Sequence, residues 1–203
     1  MLTAFTAALL LITISELGDK TFFIGMILAM RYSRRWVLAG VVTALVAMTL
    51  LSVLIGQAIA FLPPTYIHYA EVILFLAFGT KLLIEAWRMP ATKTPEVMEE
   101  AEEAIEGTTK NLQRNPQPLG IFFESFLLTF IAEWGDRTQI ATIALAASNN
   151  VVGVILGAIL GHTICALIAV MGGKWIAGRI SERAITAIGG VLFFVFAGVA
   201  WLE

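Results

Sequence analysis

The chain has 203 residues, 59% hydrophobic and only 14% charged, with a formal net charge of −2. A soluble domain is about 45–50% apolar and about 25% charged, so this composition excludes an ordinary soluble domain and identifies an integral membrane protein. No basic patch points to nucleic acid, and the single cysteine, Cys165, lies in an apolar run and rules out a disulfide framework.

A helix needs about 20 apolar residues to cross the hydrocarbon core. Six such segments follow in chain order: 2–30, 36–61, 67–87, 118–147, 150–175 and 184–202. The first has no basic n-region and no clean small-residue cleavage site, so it is expected to stay as a span. The breaks are Arg31 to Arg35, Pro63-Pro64, Met89 to Pro118, Ser148-Asn149-Asn150 and Gly178 to Arg183, which is ordinary loop chemistry. In the third break, 96–106 is an acidic, helix-favouring run that Gly107 should end. It reads as a solvated linker helix, with a metal-sensing or gating role as the alternative.

The first and fourth spans each carry one motif. Glu16-Leu17-Gly18-Asp19-Lys20-Thr21 and Glu133-Trp134-Gly135-Asp136-Arg137-Thr138 both read E-x-G-D-[K/R]-T, 117 positions apart. A charge at membrane depth costs roughly 2.5–3.5 kcal/mol on insertion scales. A single Glu with Lys four residues on could be an intrahelical ion pair that eases insertion. Two copies, with Gly and Thr also repeated, argue for a site. The same offset aligns Gly40 with Gly157 and Gly56 with Gly173, and 74–79 resembles 193–198. The chain is therefore a duplication of three spans. An odd number of spans inverts the second unit, as in many secondary transporters.

Loop charge fixes the expected orientation. Arg31, Arg34, Arg35, Arg88, Lys93, Lys110, Arg114, Lys174, Arg179 and Arg183 all lie at the first, third and fifth connections. By the positive-inside rule these face the cytoplasm and both termini face outside. The expected fold is thus all-α, six transmembrane helices in two inverted repeats, 1–88 and 118–203, joined by an acidic cytoplasmic linker, 89–117. Lys81 should snorkel to the inner interface. Trp36, Trp87, Trp175 and Trp201 should anchor at span ends, and Glu71 and Glu85 should reach water.

On a helix, Glu16 and Asp19 share a face, as do Glu133 and Asp136. The first and fourth spans are too long for a ~30 Å core, so the motif is a natural place to break. Gly18 and Gly135 allow close packing or helix opening there. If the motifs meet at the midplane, four carboxylates and the two cations Lys20 and Arg137 leave a deficit of two charges. One divalent ion or two protons would neutralise it, and crowded carboxylates favour proton uptake. Carboxylates, hydroxyls and carbonyls are hard ligands suited to Mg²⁺, Ca²⁺ or Mn²⁺. Neither motif holds Cys or His, which argues against zinc or copper. Thr21 and Thr138 can add hydroxyls. Gln139 follows Thr138, whereas Phe22 stands at the matching place, so the halves differ. Glu124 reads as interfacial, with a cation path as the alternative. Thr43, Thr49, Ser52 and Thr163 read as hydroxyls bonded within their own helices. His162 reads as a hydrogen-bonded packing residue, with proton relay as the alternative.

Paired E-x-G-D-[K/R]-[T/S] motifs on the first and fourth of six spans, with an acidic central loop, resemble the GDT family of cation/proton exchangers. The resemblance covers essentially the whole chain. It implies export of Mn²⁺ or Ca²⁺ from the cytosol in exchange for protons, with Glu16, Asp19, Glu133 and Asp136 as cation ligands. Lys20, Thr21, Arg137, Thr138 and Gln139 carry over as motif members. No prosthetic group and no catalysis are implied. The expected partners are the metal ion, protons and the bilayer, and a homo-oligomer is left open. The short chain resembles bacterial members, which implies an inner membrane and manganese. A passive cation channel is the alternative, and a membrane-embedded metal-dependent enzyme is a more distant one.

Overall fold

A computed structural model of the protein describes residues 1–89, 96–108, 117–176 and 181–202. Lys93, Lys110, Arg114, Pro116 and Arg179, and the side chains of Lys174 and Trp175, fall outside that description, as do 90–95 and 109–116 of the 89–117 connection. The described residues are helical throughout, with no strand among them: α1 Leu2–Glu16, α2 Lys20–Arg31, α3 Arg34–Ile59, α4 Pro64–Arg88, α5 Glu96–Thr108, α6 Pro118–Ala132, α7 Arg137–Ser148, α8 Val151–Ile176 and α9 Glu182–Leu202. Four of them, α3, α4, α8 and α9, are long and apolar enough to cross a membrane. The pairs α1/α2 and α6/α7 qualify when each is taken as one bent span, with bends of 63° and 73°.

The breaks fall at the two motifs, and their cause is local. Gly18 and Gly135 both have φ +80°, the only positive values among the described residues. That left-handed geometry costs an L-residue about 1–2 kcal/mol and costs glycine little. Chain entry is also encoded: Pro64 and Pro118 open α4 and α6, where the missing N–H is harmless.

Packing follows the 117-residue offset. The broken helix α1 lies on α8, α6 lies on α3, and α4 lies on α9. Close approach is set by small residues. A Cβ on Gly40 would strike the Phe122 carbonyl at 2.5 Å and Ser125 Cβ at 2.8 Å, and one on Gly157 would strike the Phe5 carbonyl and Ala8 Cβ. Phe5 and Phe122, and Ala8 and Ser125, differ by the same offset. Without a hydrophobic drive between helices in lipid, such backbone approach is what holds spans together. Leu54, Ile73, Ile131, Met171 and Val195 point outward, as a lipid-facing surface requires.

The acidic run does form a helix, α5, which extends one residue past Gly107. It is not freely solvated. Ala101 and Ile105 are fully buried in a cluster with residues of α2 and α6, while Glu99, Glu100, Glu102, Glu103 and Glu106 stay exposed. Glu71 also departs from expectation: it is buried, not in water, because α4 packs that face inward. Lys81 is exposed and pairs with Glu85 at 3.7 Å. Trp36, Trp87 and Trp201 are exposed.

Candidate metal centre at the two helix breaks

Each motif divides its residues between two half-helices. Glu16 ends α1 and Glu133 caps α6, while Asp19 and Asp136 are the N-caps of α2 and α7. The glutamates therefore sit where carbonyls are left over and the aspartates where N–H groups are. Because the helix is interrupted, the continuous-helix spacing between Glu and Asp does not apply. The turn instead folds each Asp amide back onto the Glu carbonyl, Asp19 N–H to Glu16 O at 3.2 Å and Asp136 N–H to Glu133 O at 3.1 Å.

The two breaks meet inside the protein. Glu16 is 2% and Glu133 1% exposed. One carboxylate oxygen from each of Glu16, Glu133 and Asp136 lies within 4.8 Å of the others, which is the span of ligands around one cation. Thr21 donates to Glu16 Oε2 at 3.0 Å, and Thr138 donates to Glu133 Oε2 at 3.3 Å or Asp136 Oδ2 at 3.0 Å. Each threonine also lies beside the opposite glutamate. Oε1 of both glutamates is buried without a hydrogen-bond partner. An unpartnered buried carboxylate oxygen is costly, and a cation would satisfy both.

The remaining motif residues are distributed unequally. Arg137 crosses to the first motif, donating to Asp19 Oδ1 at 2.7 Å and to the Ser15 carbonyl at 3.4 Å. Asp19 is thereby held by a guanidinium and stands apart from the three clustered acids. Asp136 instead caps its own helix, accepting from the Thr138 N–H at 3.2 Å. Lys20 does not join the acids; it reaches Glu100 of α5 at 3.5 Å. The two breaks together therefore hold four carboxylates, three clustered and one paired with Arg137, against one cation, a formal charge of −4 + 1 = −3 with every acid ionised. Gln139 accepts from the Gly135 N–H at 2.7 Å and donates to Met48 Sδ at 3.0 Å. Both ends of its amide are used, and they hold the second turn in place. Phe22, its counterpart, is simply buried against Phe23.

Other polar residues sort clearly. Thr43, Thr49, Ser52 and Thr163 each donate to the carbonyl four residues back, as expected. Glu124 is half-buried, with Oε2 unpartnered. His162 is not hydrogen-bonded; its Nδ1 faces Glu16 Oε1 at 3.7 Å. A cavity of about 110 Å³ is lined by Glu85, Met89 and Thr186 together with Asp19 and Arg137. Sequence reasoning missed the neighbours that α3 and α8 bring to the motifs. The available signal was the offset itself, which pairs Met48 with Cys165, both sulfur-bearing.

A family model described as the divalent cation/proton antiporter GDT1 matches residues 4–90 and 121–203. The chain is 70% identical to the GDT1-like protein sll0615 of Synechocystis, covering 99% of this chain and 98% of that one. It is 44% identical to the GDT1-like protein 3 of Oryza sativa subsp. indica over 96% of this chain and 72% of that one. It is 41% identical to the chloroplastic PAM71-homolog of Arabidopsis thaliana over 98% of this chain and 59% of that one. No solved structure matches. The motif pair, the helix breaks and these matches agree, and the chain belongs to the GDT1 family of divalent cation/proton antiporters.

Proposed function

We propose that the protein exports Mn²⁺, or Ca²⁺, from the cytosol in exchange for protons across a bacterial inner membrane. The reading rests on one observation: two buried glutamates with unpartnered oxygens meet Asp136 at paired helix breaks. Glu16, Glu133 and Asp136 would be the ligands, with Thr21 and Thr138 adding hydroxyl oxygens. Asp19 would act as a fourth acid that exchanges Arg137 for the arriving ion. In this account the two halves are inverted repeats with six spans, cytoplasmic odd-numbered connections and both termini outside. The exchanged packing of α1 on α8 and α6 on α3 supports it.

Charge supplies the coupling. A cluster of formal charge −3 in a low-dielectric interior is unstable bare. A divalent ion lowers it to −1, and two protons do the same. Metal and protons then compete for the same oxygens, so binding one expels the other. Alternating exposure of that site converts competition into exchange. Arg137, bonded to Asp19 and Ser15, bridges the two breaks and steadies the cluster when no ion is bound.

The test is flux in proteoliposomes, with metal and internal pH recorded together. An imposed proton gradient should drive Mn²⁺ or Ca²⁺ against its own gradient, and metal movement should shift the pH. Metal flux indifferent to the proton gradient would refute exchange and leave a channel.

A further inference from the structure

His162 lies on α8, outside both motifs, yet it adjoins the clustered acids. It is 5% exposed. Its Nδ1 has no hydrogen-bond partner and stands 3.7 Å from Glu16 Oε1, which has none either. That distance is too long for a hydrogen bond. It does match an edge of a coordination shell. Two donors about 2.1–2.3 Å from one ion and about 90–110° apart are separated by about 3.0–3.8 Å. Glu16 Oε2 is already taken by Thr21, so the two bare atoms are the pair spaced as neighbouring ligands of one ion are.

The site is asymmetric at this position. The 117-residue offset puts Leu45 opposite His162, and Leu45 is a buried apolar residue that offers no donor. The nearby Cys165 is not an alternative ligand, because its thiol is committed to the Thr13 carbonyl at 3.1 Å. His162 stands outside the three acids whose oxygens lie within 4.8 Å of one another, so this single nitrogen donor adjoins the all-oxygen set through Glu16 only.

The geometry points to His162 as the specificity-determining ligand of the site, giving a first-row d-block ion such as Mn²⁺ an advantage over Ca²⁺. Ca²⁺ takes oxygen ligands almost exclusively, whereas d-block ions accept imidazole nitrogen readily. Glu16 is the shared ligand: it belongs to the three-acid set, and an ion drawn toward its Oε1 gains the imidazole nitrogen, a bond that only the d-block ion uses well. This inference rests on the carboxylate site proposed above.

The test compares Mn²⁺ and Ca²⁺ transport in proteoliposomes for the wild type, His162→Leu and His162→Asn. Leucine reproduces the other repeat. Asparagine keeps a polar contact to Glu16 but removes the imidazole lone pair. The wild type should prefer Mn²⁺. Both variants should raise KM for Mn²⁺ about tenfold while changing KM for Ca²⁺ less than twofold. A wild type without Mn²⁺ preference, an equal change for both metals, or full Mn²⁺ preference in His162→Asn would overturn the proposal. Mn²⁺-induced and Ca²⁺-induced shifts of the unfolding midpoint in detergent should show the same selective loss, and they read binding where a variant transports poorly. Glu16→Gln is run alongside. If it transports both metals like the wild type, the carboxylate site itself fails, a result separate from any change in selectivity.

Discussion

Gly135→Ala isolates the turn that creates the second half of the site. A Cβ built on Gly135 meets nothing within 4 Å, and one on Gly18 meets only Ile185 Cδ1 at 3.7 Å, an ordinary contact. Space is therefore not what glycine supplies. Both positions have φ +80°, which costs alanine about 1–2 kcal/mol. For a chain of this length each kcal/mol lowers the midpoint by about 2–4 °C, so Gly135→Ala and Gly18→Ala should each lose about 2–8 °C. The assay is thermal unfolding of the purified protein in detergent. Asparagine tolerates left-handed backbone better than alanine, so Gly135→Asn should recover part of the loss. An alanine variant as stable as the wild type, or an asparagine variant no better than alanine, would refute the claim that the motif glycine exists to break the helix.

Three further outcomes follow from the packing and the charges. The double-mutant cycle of Asp19→Asn with Arg137→Gln should give a coupling of about 1–3 kcal/mol in unfolding free energy. That is below the 3–5 kcal/mol of a fully buried pair broken on one side, because both side chains keep some exposure; zero coupling would contradict the pairing. Gly157→Val should destabilise more than Gly198→Val, since the first drives side-chain atoms into the Phe5 backbone and the second meets open space; circular-dichroism melting ranks the two. Ile105→Glu should undock α5, because Ile105 is fully buried beside α2; faster protease cleavage within 89–117, with the melting of the spans little changed, is the expected reading.

Most of the architecture was legible because a membrane leaves few options. Apolar length and loop chemistry located the helix ends to within a few residues, and excess length in the first and fourth apolar segments flagged the breaks that Gly18 and Gly135 make. The 117-residue offset pairs Gly40 with Gly157, and those two glycines are where α3 meets α6 and α8 meets α1. What stayed hidden depends on which way side chains turn once the helix is broken. Lys20 and Arg137 look equivalent in sequence, yet Arg137 crosses to Asp19 while Lys20 leaves for Glu100 on α5. Asp19 and Asp136 look equivalent too, but one is held by a guanidinium and the other caps its helix. Glu71 gave no sign of burial, since its surroundings come from a helix pair distant in sequence. His162 looked like packing because its partner, Glu16, is 146 positions away (162 − 16).

The central claim is that one cluster of buried carboxylates binds metal and protons in competition. Calorimetric titration of Mn²⁺ into the purified protein, in buffers of different ionisation enthalpy, measures both binding and protons released. The account predicts one strong site that releases protons on binding, with binding lost in Glu16→Gln and in Glu133→Gln. Binding that releases no protons, or that survives both substitutions unchanged, would contradict it.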